Sequence, residues 1–90
     1  MPSYLVETYL ARCAATERRA WERRVHEAAE ELTREGTSVR FDHVIHVPED
    51  ELCLLVIDAP SAVEAERAAR LAGVGPLRVV QAFSSREEST

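Results

Sequence analysis

The sequence predicts an α+β domain with the element order βαββαβ, and three observations carry that prediction. Four short stretches rich in β-branched and aromatic residues, "SYLVETYL", "VRFDHVIHV", "LCLLVID" and "PLRVVQAF", are bounded by turn residues or polar segments, as strands are. Two longer segments between them repeat apolar residues at helical spacing. The strands come singly, then as an adjacent pair, then singly again, with one helix in each gap.

Along the chain, Tyr4, Val6 and Thr8 share one side of the first strand, and Leu5, Glu7 and Tyr9 the other. After "ARCAA", Thr16 is placed to cap a helix whose apolar stripe is Trp21, Val25, Ala28, Ala29 and Leu32, with Gly36 as its stop. That helix has about five turns. A second strand from about Ser38 to Val47 and a third from about Leu52 to Asp58 form a hairpin across Pro48, Glu49 and Asp50. Pro60, Ser61 and Glu64 supply a capping box for a second helix ending near Gly73, and Pro76 to Phe83 is the last strand. The economical packing is the split-βαβ, ferredoxin-like arrangement: a four-stranded antiparallel sheet with both helices on one face.

Ninety residues make a single domain, 1–84, followed by a polar tail, 85–90. A chain this short buries only about 60–65% of its unfolded surface, so the core is thin. One sheet face stays uncovered and bears Val, Leu and Ile, which predicts a homodimer that hides it. Composition is that of a folded globular domain, 46% apolar and 30% charged. The net charge of −5, with 16 acidic residues against 11 arginines and with "ERRAWERR" laced by glutamates, argues against a nucleic-acid partner. No apolar run is long enough for a membrane span, and the first residues lack the order of a signal peptide, which leads us to expect a cytoplasmic protein with no membrane partner. Cys13 and Cys53, with no CxxC or zinc-type spacing, are expected to be reduced thiols.

The chemistry-bearing candidates are few. In "FDHVIHVPEDE" two histidines stand three positions apart, but strand geometry sends His43 and His46 to opposite faces about 10 Å apart, so one metal ion cannot take both. An even hairpin loop pairs Val47 with Leu52, Ile45 with Leu54 and His43 with Val56, which places His43 beside Phe41, Ile45, Leu54 and Val56. His43 is then either a core imidazole satisfied by a neighbour or a histidine in an apolar pocket, tuned for proton transfer or open to a metal. His46 is expected at a solvated strand end, and His26 between Glu22 and Glu30 on an exposed helix face. Glu7, inside a strand, needs a partner: Arg40, Arg78, a metal or a substrate proton. Tyr9 shares its face.

The stretches "MPSYLVE", "VRFDH", "DAPS" and "ARLAGVGPLRVVQ", spanning roughly Pro2 to Phe83, resemble the small ferredoxin-like, nickel-binding or nickel-responsive proteins of actinobacteria. The resemblance implies a dimer of the α+β barrel type and Ni²⁺ held by histidine and oxygen ligands, with His43 and Glu7 as the matching positions. Two functions are therefore expected in competition. One is a binding protein that holds a transition metal or a hydrophobic small molecule between its subunits. The other is a cofactor-free dimeric α+β barrel enzyme, an isomerase, cyclase or oxygenase on a hydrophobic small molecule, with His43 as general base or acid, Glu7 orienting it and Tyr9 stabilising an enolate.

Overall fold

In a computed structural model of the protein, which describes residues 1–11 and 15–83, the predicted order is realised. The elements are β1 (Ser3–Tyr9), α1 (Ala15–Arg34), β2 (Arg40–Val47), a 3₁₀ turn (Pro48–Asp50), β3 (Leu52–Asp58), α2 (Ala62–Leu71) and β4 (Arg78–Ala82). The strands form one antiparallel sheet in the order β2-β3-β1-β4, with β1 and β3 central, and the fold is ferredoxin-like α+β. Cys13 and the tail 85–90 lie outside the described residues, and among those described no helix is long and apolar enough to cross a membrane.

Alternation along the central strands decides what the helices cover. Val6 of β1 and Cys53, Leu55 and Ile57 of β3 have no exposed surface and pack with Val25 and Leu32 of α1. From α2, Ala65, Ala68 and Ala69 join the same cluster, their small side chains allowing the helix to lie close. Full burial of each Leu or Ile contributes about 2–3 kcal/mol, so this layer dominates stability. Thr8, also on the covered side and 3% exposed, satisfies its hydroxyl by donating to the Gly75 carbonyl at 2.9 Å.

The helix ends explain the two glycine signals. After α1 the Gly36 amide bonds to the Thr33 carbonyl and the Thr37 amide to the Leu32 carbonyl, with Gly36 at φ 102°. That is a Schellman closure, and it requires the left-handed backbone that glycine adopts without strain. Gly73 does the same for α2, at φ 82°. At the start of α1 the helix already includes Ala15, so Thr16 lies in its first turn rather than at the cap. Ser61 does occupy the N-cap of α2, but its hydroxyl donates to the Glu64 carboxylate instead of receiving a backbone amide. A contact between the two side chains thus replaces the two side-chain-to-amide bonds of the expected capping box, and with the Glu64 amide it holds the Glu64 carboxyl below its usual range.

Candidate functional site

The hairpin register is the one that even spacing predicts: Val47 opposite Leu52, Ile45 opposite Leu54, His43 opposite Val56. Beyond His43 the ladder slips. A β-bulge between Phe41 and His43 makes Asp42 the extra residue, so Phe41 pairs with Ile57 and packs against the covered core. Phe41 therefore does not share a face with His43, contrary to the alternation of the sequence. Arg40 in turn moves to the uncovered face, opposite Asp58.

His43 is neither a core imidazole nor enclosed in a pocket of one chain. Its side chain is 55% exposed on the uncovered face, and Nδ1 stands 3.4 Å from Oδ2 of Asp42, the bulged residue. His46 lies on the face of Cys53, as the hairpin pairing implies, but is less solvated than its strand-end position suggested. It projects to the covered face opposite Cys53, and its Nε2 is buried with no hydrogen-bond partner among the described residues. A strand-end position suggested solvent, but α1 closes over that side of the sheet. His26 behaves as expected, exposed and 2.7 Å from Glu30.

Glu7 finds its partner in Arg78, directly across the β1–β4 ladder. The guanidinium donates through Nε to Oε2 at 2.9 Å and through Nη2 to Oε1 at 3.0 Å, a two-pronged pair that pushes the Arg78 pKa up. Arg40, the other candidate, serves Asp58 instead, donating from Nε at 3.0 Å and Nη2 at 2.5 Å while Ser3 donates to the other carboxylate oxygen at 2.6 Å. Asp58 is 6% exposed, and these contacts are what make its burial tolerable. Tyr9 lies at the end of β1, exposed, its hydroxyl 3.4 Å from Glu51.

The pairings locate these groups relative to one another. Glu7 is opposite Leu54, and Leu54 opposite Ile45; His43 is opposite Val56, and Val56 opposite Leu5. His43 and Glu7 are thus two strands apart and two residues out of step, about 12 Å between backbones at ordinary strand spacings, and Tyr9 is two residues farther still. All three share the uncovered face without converging. Between His43 and Glu7 lies an apolar floor of Leu5, Ile45, Leu54 and Val56. Among the described residues no group of three or more His, Cys, Asp or Glu side chains could hold a metal ion within one chain. Cys53 is a free thiol behind the opposite face, and burial pushes its pKa up to about 11.

The fold has a solved counterpart. It is similar to the crystal structure of SCO4226 from Streptomyces coelicolor A3(2), with a TM-score of 0.67 over 91% of this chain and 98% of that one. Sequence identity to SCO4226 is 14%, so the likeness shows the fold alone. No protein-family model matches the chain, and no curated protein matches it.

The sequence could show that His43 and Glu7 lie on strands; it carried no sign of the bulge. Asp42 consequently escaped notice, although it is the carboxylate nearest His43. "VRFDHV" alternates regularly, and only the fit of β2 against α1 and β3 breaks that regularity.

Proposed function

We propose that the protein is a small binding protein that pairs with a second copy through its uncovered sheet face and holds a transition metal ion or a small apolar molecule between the two subunits. One observation carries this reading: the uncovered face is an apolar floor bordered by an exposed His43–Asp42 pair on one side and by the Glu7–Arg78 pair on the other. A sheet of this size spans on the order of 15 by 20 Å, about 300 Å² per copy and the low end of interface size, so the rim of the sheet must add to the proposed contact. Face-to-face pairing repeats each ligating group, and a metal shell needs that repetition, since the described residues of one chain offer no group of three ligating side chains.

Ni²⁺, which the family resemblance implies, suits the donor set of His43 with Asp42. Glu7 joins that set only from a second copy and only by giving up Arg78. The distance between His43 and Glu7 also weakens the enzymatic alternative, in which one must orient the other. The test joins two measurements. Sedimentation equilibrium at micromolar concentration should give twice the chain mass; a monomer refutes the pairing. Calorimetric titration with NiCl₂ should give a saturable signal that weakens roughly tenfold or more in His43→Ala. No heat with the wild type refutes the metal.

A further inference from the structure

On the opposite side of the sheet, α1 runs beside the outer strand β2 and leaves a trough between them. It consists of a cavity of about 280 Å³ floored by Ala29 and Val39, and a second of about 430 Å³ flanked by Arg19 and Arg23. The two meet at His26 and Phe41, which line both. Phe41 is there only because the bulge at Asp42 turns it away from the uncovered face.

Charge on the trough is unbalanced in a way that points to a ligand. Of its acids, Glu22 lies 3.8 Å from Arg18 and Glu30 lies 4.0 Å from Arg34 and 2.7 Å from His26, whereas Asp42 stands 3.4 Å from His43, which balances it only when protonated. Arg19 and Arg23 pair with no carboxylate among the described residues, and both are exposed. One helical turn apart on one face, they present two guanidinium forks about 5–6 Å apart at their bases. These two arginines, which outnumber the one trough carboxylate not paired with an arginine, Asp42, stand next to an aromatic ring and an apolar floor.

We propose that this trough is a binding site for an amphipathic anion, an aryl or acyl carboxylate whose apolar part lies on Phe41 and Val39 and whose carboxylate is held by Arg19 and Arg23. The apolar volume is at the small end of ligand pockets, suited to one or two rings. The alternative occupant, an extended peptide adding to the edge of β2, is disfavoured by the bulge, which interrupts the strand beside the trough and twists its edge. The trough lies on the other side of the sheet from the pairing face proposed above, and Asp42 borders both.

The test is an NMR titration of the ¹⁵N-labelled chain with 2-naphthoate. Saturable shifts are expected at the amides of Ala29, Val39 and Phe41. Neutral 2-naphthalenemethanol should bind at least about tenfold more weakly, as should the Arg19→Gln/Arg23→Gln double variant, whose exposed positions leave folding intact. Phe41→Leu should weaken binding while keeping the core filled. The proposal is overturned by shifts confined to Leu5, Leu54 and Val56, by equal affinity for the alcohol, or by an unchanged double variant. It is also overturned if an end-blocked Glu-Val-Glu-Val-Glu peptide slows amide exchange along β2 while 2-naphthoate leaves the trough unshifted.

Discussion

The two faces of one sheet use the same strands for different ends. Toward the helices, Val6, Leu55 and Ile57 have no exposed surface and contribute packing. Toward solvent, the residues one position away, Leu5, Glu7, Leu54 and Val56, form a floor edged by charge pairs. A single residue of register separates stabilising positions from binding positions, so exchanging side chains between adjacent positions should reveal which face has a partner.

The largest contrast is expected between neighbours on β3. Leu55→Ala, in the covered layer, should lower unfolding free energy by about 3–4 kcal/mol in urea titrations. Leu54→Ala, half-buried on the uncovered face, should lower it by no more than about 1 kcal/mol in a monomer. In the proposed dimer the Leu54 loss grows and becomes dependent on protein concentration. A Leu54 loss that is small and independent of concentration breaks the idea that a second copy covers this face.

Asp58 sharpens the comparison because it is the buried charge of the uncovered side. Asp58→Ala removes the acceptor of Ser3 and Arg40 and should cost about 2–3 kcal/mol. Asp58→Asn retains one of these bonds and should cost less. Equal losses for the two variants would show that the site responds to volume rather than to charge.

On the covered face, Cys53 gives a pH signature. Its thiol ionises near 9 in an ordinary environment and near 11 in the fold, because burial disfavours the thiolate. Below pH 9 both states hold the proton and the contribution of Cys53 is complete; from pH 9 to 11 the unfolded chain releases it and the folded chain does not. Stability should therefore fall across that window by about 1.4 kcal/mol per pH unit relative to Cys53→Ala, and become level above it. A wild-type minus variant difference that stays flat from pH 8 to 11 would show that the thiol is solvated.

How much of this was legible in the sequence depended on how local its cause was. The hairpin register followed from the loop between Val47 and Leu52, and the faces of β1 from strict alternation, both short-range effects. The stops at Gly36 and Gly73 were local too. The face of Phe41, the burial of the His46 Nε2 atom and the trough beneath Arg19 and Arg23 were not, because each arises where α1 packs on β2. Fold was therefore readable nearly throughout, whereas the candidate site was readable only as strand positions. A one-residue bulge decided which groups meet around Phe41, Asp42 and Arg40.

The smallest expected effects come from the two histidines, which compare the faces most directly. His43 is exposed, so His43→Leu should change monomer stability by no more than about 0.5 kcal/mol. His46 carries a buried Nε2 without a partner among the described residues, and an unmatched polar atom costs free energy that an apolar side chain does not. His46→Leu should consequently raise stability by about 1 kcal/mol, with Cys53 and the apolar layer as its new neighbours. If His46→Leu instead destabilises the fold, Nε2 has a hydrogen-bond partner and the imidazole is a stabilising group. If His43→Leu shifts stability with protein concentration, the exposed imidazole lies against a second copy.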